Sequence, residues 1–381
     1  MTARTRVCVV GAGIVGLACA EELLRAGHDV TIFDPAPGSG ATHAAAGMLA
    51  PAGEAWFGEQ DLLRLGLASR QAWPAYAARL GVAYQDAGTV LVGGDRGDLD
   101  RLTAGLDLLA AAGVEVRSLR RADLRALEPT LGGRLVGGAL LPGDHSVDPR
   151  AVAAALLTAV GASLVRDTAR PLLDGSRNGT CTGVLTGRGA TYPADVVVVA
   201  TGHRLDPMVP QHRLVRPVRG EVVRARTTDA PARTVRALVE GFPVYLVPRP
   251  GGEVVVGATT EEHPGRAAGV ASLGGVHRLL DAARRVVPTL DDADLVEVTT
   301  RDRPGTPDNG PLLGPTGIPG LLVAAGHFRG GVLLAPATAR ALRAHVEGRA
   351  VEAEAACFTP ERFAHDRPAG RPPDRSPLPD P

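Results

Sequence analysis

The chain carries 381 residues, 45% of them apolar, and its 41 acidic side chains balance 41 basic ones. That length exceeds a single compact core and implies two domains, or one domain with a large insertion. Zero formal charge offers no basic surface to nucleic acid or to an anionic membrane, and no stretch reaches the roughly 18–20 apolar residues of a membrane span.

The opening reads as a βαβ unit. Arg6–Val10 is a short apolar strand, Gly11–Gly16 a turn, Ile14 to about Ala26 a helix ended by Gly27, and Val30–Phe33 a second strand. Strands that are apolar without alternation predict a parallel sheet buried on both faces. A helical region follows at Asp61–Leu80, then hairpin-like material around Gly88–Gly93 and helical stretches at Leu99–Ala112 and Arg121–Leu127. Asp148 is a candidate N-cap with Pro149 at the first helical position of a helix running through Arg150–Val160. Ser163–Val165 leads towards an unbroken apolar strand at Asp195–Ala200. Repeated strand patterns over Gly220–Thr260, with a turn at Arg249–Gly252, predict an antiparallel sheet. Leu273–Val287 is an amphipathic helix; Leu321–Ala325, Gly326–Gly331 and Val332–Val346 form a last strand, glycine turn and helix. The Pro- and Arg-rich residues 366–381 are expected to be disordered. The fold class is therefore α/β.

The first turn, Gly11-Ala12-Gly13-Ile14-Val15-Gly16, follows a strand and opens a helix, as a dinucleotide-binding turn must. Gly11 permits the bend, Gly13 admits a pyrophosphate to the backbone, and Gly16 lets helix and strand close up. Asp34 ends the second strand 18 residues after Gly16, placed to accept from a ribose hydroxyl. Three further features select FAD over a nicotinamide. The small-residue run from Gly38 to Leu49 suits a backbone lying flush on a flat ring, and Thr201-Gly202 ends a strand beside the first one. Gly326–Gly331 opens a helix whose N-terminus suits the charge gathering at the flavin N1–C2=O edge. No second G-x-G-x-x-G turn appears, so electrons should come directly from an organic substrate.

These residues, with Ala44–Leu49, Arg303–Asp308 and Gly326–Arg329, resemble the D-amino-acid-oxidase superfamily, and within it glycine oxidases of thiamine biosynthesis. The resemblance covers roughly residues 5 to 350. It implies non-covalent FAD held by Ile14, Val15, Asp34, Pro35, Ala41, Thr42, Ala46, Gly47 and Met48, by the backbone near Arg170, and by His327, Phe328, Arg329, Gly330, Gly331, Val332 and Leu333. It also implies a discontinuous Rossmann-like FAD-binding domain (1–80, 145–215 and 300–350), and an antiparallel α+β substrate domain (81–144 and 216–299). A homotetramer is a further implication.

A substrate carboxylate calls for a guanidinium, whose planar fork meets it bidentately. Arg301 and Arg303 share a face of a regular strand, and spacing alone does not separate them. The resemblance selects Arg303, with Arg329 and Tyr245 as further substrate contacts. Oxidation then needs no acid–base pair: hydride passes from the substrate Cα to flavin N5, O2 takes the electrons, and peroxide, a 2-oxo acid and ammonia result. Thr260 and His203-Arg204 stand where the family carries apolar residues or tryptophan, so sarcosine or a small D-amino acid stays open as substrate; Gly330 stands where asparagine is usual. A sarcosine oxidase-like or D-amino-acid dehydrogenase-like flavoenzyme is the alternative. No lysine occurs, which removes Schiff-base chemistry. The scattered Cys8, Cys19, Cys181 and Cys357 have no metal spacing, and with no signal-peptide pattern a cytoplasmic protein is expected.

Overall fold

The computed structural model describes residues 4–175, 179–205, 209, 214–262, 267 and 269–363; the stretch 366–381 lies outside them. A six-stranded sheet has the order Leu312–Pro315, Leu321–Ala325, Val196–Val199, Arg6–Val10, Asp29–Phe33, Leu164–Val165. Its neighbours are parallel except for the antiparallel edge pair Leu312–Pro315 with Leu321–Ala325. Val7 and Val9 point into one core with Leu17, Leu23 and Leu156 from the helices Ile14–Arg25 and Pro149–Val160. Cys8, Val10, Val197 and Val199 point the other way, into a core shared with Ala169, Cys181 and Val184 of a small antiparallel sheet. Both faces are covered, which is why these strands carry no polar alternation.

A nine-stranded sheet is built around the pair Arg216–Arg226 and Asp294–Gly305. It continues through Glu253–Gly257, Phe242–Pro248, Thr234–Val239, Thr89–Gly93, Gly137–Leu141 and Arg117–Arg120. One face packs Val223, Val235 and Leu246 against Leu279 and Val286 of the helix Leu273–Val286. The other presents Val222, Val247 and Val255 to Ala46, with Met48 and Tyr245 alongside. This second face brings the sheet onto the small-residue segment expected to touch the flavin.

Two elements differ from expectation. Thr89–Gly93 forms no hairpin: it lies between Thr234–Val239, which it meets in parallel, and Gly137–Leu141, antiparallel. The helix after the strand Leu321–Ala325 begins at Ala335, not Val332, because the turn continues through Leu334 with bonds from Leu334 N to Gly330 O (2.8 Å) and Ala335 N to Val332 O (3.2 Å). The Asp148 cap forms as expected, its side chain accepting from Arg150 N at 2.9 Å.

Among the described residues, no helix is long and apolar enough to cross a membrane.

Candidate active site

The nucleotide turn is sterically committed. A Cβ at Gly16 would lie 1.9 Å from Gly11 O, and one at Gly11 (φ +105°) 2.5 Å from Ala200 O. Strand, turn and helix can close only with glycine at both positions. Gly13 caps the helix with no side-chain bond, and Ile14 N donates to Thr42 Oγ1 at 3.0 Å. The Val15 and Gly16 amides find no acceptor among the described residues, leaving donors and the dipole of a helix N-terminus for an anion. Asp34 Oδ2 accepts from Ala12 N at 2.7 Å and Oδ1 from Ala36 N at 2.8 Å, which fixes the carboxylate beside the turn. Pro35 next to it is exposed, and Gly202 (φ +61°) starts a single 3-10 turn behind Val196–Val199. Arg170 has an exposed side chain, and its backbone pairs with Leu185.

Ala41 and Thr42 lie on the short helix Ala41–Ala44, and Ala46 and Gly47 follow, both buried. A Cβ on Gly47 would fall 2.0 Å from Val147 O. Gly47 O accepts from Val147 N at 3.0 Å, yet Gly47 N–H has no acceptor among the described residues. A buried amide without a partner is rare and points to a ligand. With the free helix amides, it makes this face fit a dinucleotide with a flat polar ring.

The last glycine turn is held from both sides. Phe328 N donates to Pro304 O at 2.8 Å, tying the His327–Arg329 turn to the end of the strand Asp294–Gly305. Ser69 Oγ (2.7 Å) and Trp73 Nε1 (2.9 Å) both donate to Leu333 O, and Val332 and Leu333 are buried. Gly330 and Gly331 are partly exposed between them. His327 is buried, with Nε2 at 2.9 Å from Thr338 Oγ1, and burial pushes its pKa down to about 3. It is a neutral anchor between turn and helix.

Arg301 and Arg303 are separated by their partners. Arg301 Nε donates to Ser39 O at 2.8 Å and its Nη1 to Thr300 O, so it serves the loop before the short helix. Arg303 Nη1 donates to Thr259 O at 3.1 Å, and the guanidinium occupies space that a Cβ on Gly220 would enter, 2.4 Å away. The Tyr245 hydroxyl would lie 2.3 Å from a Cβ on Gly257; burial pushes its pKa up, against the pull of the Arg303 charge. Glycines on two strands therefore make room for the guanidinium and the phenol. Arg329 lies with its Cζ 5.0 Å from the Phe328 ring centroid and 5.7 Å from that of Trp56, a cation–π arrangement.

The sequence reading missed the acidic half of this pocket. Glu54 Oε1 accepts from Arg236 Nη1 at 2.9 Å, and the same guanidinium lies 3.6 Å from Met48 Sδ. Burial pushes the Glu54 carboxyl up, but Arg236, Arg329 and Arg303 together hold it below the usual value, so it is ionised. Glu54 and Arg329 line one cleft with Glu59, Leu62, Phe328 and Leu334. Arg236 faces Tyr245 across the strand pair, a register no local pattern reveals. Thr260, flagged as a departure, is exposed; the buried Thr259 supplies the carbonyl for Arg303. His203 lies on the turn Gly202–Arg204, and burial lowers its pKa.

Asp144 fixes the loop carrying Glu54, accepting from Gly53 N at 2.6 Å and Ala52 N at 3.1 Å. Burial pushes its carboxyl up to about 7, against the pull of those amides. The folded chain thus holds a proton there that the unfolded chain has released above about pH 4, so this contribution is complete at low pH and lost as pH rises to about 7. We expect the melting temperature of wild type relative to Asp144→Asn to fall between pH 4.5 and 7 and to be level above; a flat difference would refute the assignment.

The FAD-dependent oxidoreductase family that includes D-amino-acid oxidase matches residues 6–344. This chain belongs to that family. It is 35% identical over 353 residues to a glycine oxidase of Geobacillus kaustophilus, covering 89% of this chain and 92% of that protein. It is 32% identical to a bifunctional ThiO/ThiG protein of Synechocystis, covering 95% of this chain and 55% of that longer protein. The crystal structure of the Geobacillus kaustophilus glycine oxidase superposes with a TM-score of 0.82 at 32% identity, over 93% of this chain and 98% of that one. The cofactor of the family is FAD.

Proposed function

We propose that this chain oxidises glycine, or an amino acid nearly as small, with bound FAD as acceptor and O2 as final oxidant. The observation that carries this is the Arg303–Tyr245 pair over the glycine floor of Gly220 and Gly257, beside the Ala46–Met48 segment. Arg303 binds the substrate carboxylate bidentately and the Tyr245 hydroxyl donates a further bond. Arg329 closes the other side, and the ion pair of Glu54 with Arg236 offsets part of the surplus positive charge. When bound, FAD would supply the hydride acceptor, with O2 as the oxidant that restores it and hydrogen peroxide as the by-product. The residues provide orientation, not proton transfer: they hold Cα–H in one direction while the amine stays neutral. The imine product then hydrolyses to a 2-oxo acid and ammonia, glyoxylate in the case of glycine.

The similarity to glycine oxidase and to ThiO/ThiG proteins supports a place in thiamine thiazole synthesis. Cytoplasmic location and a homotetramer accompany this reading, and sedimentation of the holoprotein tests the latter. The deciding experiment is a visible spectrum of the purified protein, followed by anaerobic glycine, sarcosine and D-alanine. Bleaching by glycine first, with peroxide on readmitting air, is expected. A flavin that bleaches only with sarcosine or D-alanine would replace glycine as substrate, and bleaching without peroxide would make the chain a dehydrogenase.

Removing the Glu54 charge leaves Arg236, Arg303 and Arg329 less balanced. In Glu54→Gln, acetate, a carboxylate with no oxidisable amine, should inhibit about tenfold more strongly, a change of roughly 1.4 kcal/mol for one partly buried charge. Unchanged acetate inhibition would place Glu54 outside the substrate's field.

A further inference from the structure

Arg249 follows the strand Phe242–Pro248, with its backbone N bound to Glu253 O at 2.7 Å. Its side chain is buried at 7% exposure and donates from Nη2 to the carbonyl of Ala46, two sheets' worth of sequence away. Among the described residues no carboxylate lies within ion-pair distance of it: Glu253 is taken by Arg224 at 2.7 Å, and Asp148 caps the helix at Arg150 N. Among the described residues its Nε has no partner either. Burial lowers its pKa to about 10, which still leaves it charged at neutral pH. Burying a cation without a counter-ion is costly, so its one strong bond calls for a reason.

The peptide it grips supplies one. In a trans peptide the C=O and N–H point in opposite directions. With Ala46 O drawn to Arg249, the Gly47 N–H faces away from the sheet side, where it has no acceptor among the described residues. Gly47 O is fixed independently by Val147 N at 3.0 Å. We propose that Arg249 is a positioning residue for the cofactor: it locks the Ala46–Gly47 peptide so that the Gly47 N–H is presented to a polar edge of the flavin ring. The guanidinium also polarises that peptide, strengthening the bond its N–H donates. The inference rests on reading Ala46–Met48 as a flavin contact.

The test compares Arg249→Met, Arg249→Gln and Arg249→Lys for FAD affinity of the apoprotein and for sulfite bleaching of the oxidised holoprotein. Sulfite affinity reports how well the site supports negative charge on the ring and needs no turnover. Arg249→Met should weaken sulfite about tenfold, the scale of losing one charge-assisted bond and its polarisation, with Arg249→Lys recovering most of it. Glycine KM should move much less, since Arg303 is untouched. Sulfite and FAD affinities like wild type in Arg249→Met would overturn the proposal. So would equal losses in the Met and Lys variants in step with apoprotein melting temperature, which would make Arg249 a packing residue. If Arg249→Met does not fold, Lys retaining and Gln losing sulfite affinity supports the proposal, and both matching wild type overturns it. Gly47→Ala separates the underlying reading: FAD affinity unchanged there would remove the segment from the cofactor site, whatever Arg249 does.

Discussion

Replacing Arg303 with alanine is expected to lower kcat/KM for glycine by about a thousandfold, because truncating one partner of a buried charge pair costs about 2–5 kcal/mol and 1.4 kcal/mol is tenfold. The loss should fall mainly on KM, since the carboxylate is held alike before and during hydride transfer. Flavin content should stay at wild-type level, because the Arg303 guanidinium bonds to Thr259 O and Arg219 O on the substrate-side sheet. Arg303→Lys should recover little: a point charge cannot reproduce a planar fork. Arg301→Ala is the internal control. Its bonds run to Ser39 O and Thr300 O, so its KM for glycine should change only slightly. Steady-state peroxide assays with the flavin spectrum as reference check all three. Equal losses at 301 and 303 would mean that the strand, and not one guanidinium, is what the substrate needs.

What was legible in the sequence divides along the range of the interactions. The parallel sheet announced itself because both its faces are buried, leaving Val196–Val199 and Leu321–Ala325 apolar without alternation. The Asp148-Pro149 cap was equally local, its bond spanning two residues. The start of the helix Ala335–Val346 was not. Val332-Leu333-Leu334 has a helical apolar look, but Leu333 O is taken by Ser69 and Trp73, more than 250 residues upstream, and the turn persists to Leu334. Thr89–Gly93 was misread as a hairpin for the same reason: its parallel partner begins at Thr234.

The site follows the same division. Arg303 and Arg329 stood out because each sits in a distinctive local run. Glu54 did not, since its meaning comes from Arg236 across a separation of 182 residues. Asp144 likewise acts on Ala52 and Gly53, about ninety residues away in the chain. Gly220 and Gly257 carried a readable signal that went unread. A glycine in the middle of a strand usually marks a close approach, and here the approaching groups are the guanidinium of Arg303 and the hydroxyl of Tyr245.

Asp34→Ala is expected to weaken FAD binding by about ten- to a hundredfold, the loss of one charge-assisted bond at about 1.5–3 kcal/mol. On the proposed reading the remaining lone pairs of Asp34 would serve ribose hydroxyls, while towards the protein the carboxylate accepts from Ala12 N and Ala36 N, which sets the shape of the glycine turn. Alanine removes both; asparagine keeps one acceptor and places an amide donor against a backbone N–H. Asp34→Asn should therefore bind FAD no better than tenfold below wild type, a gap of about 1.4 kcal/mol. Titrating apoprotein with FAD, followed by flavin fluorescence, measures both. The glycine KM of the FAD-saturated variants should match wild type, because Asp34 lies at the nucleotide turn and Arg303 across the site in the other sheet. Wild-type affinity in Asp34→Ala would show that the helix N-terminus alone holds the dinucleotide, and the acid would then be only a brace for the turn.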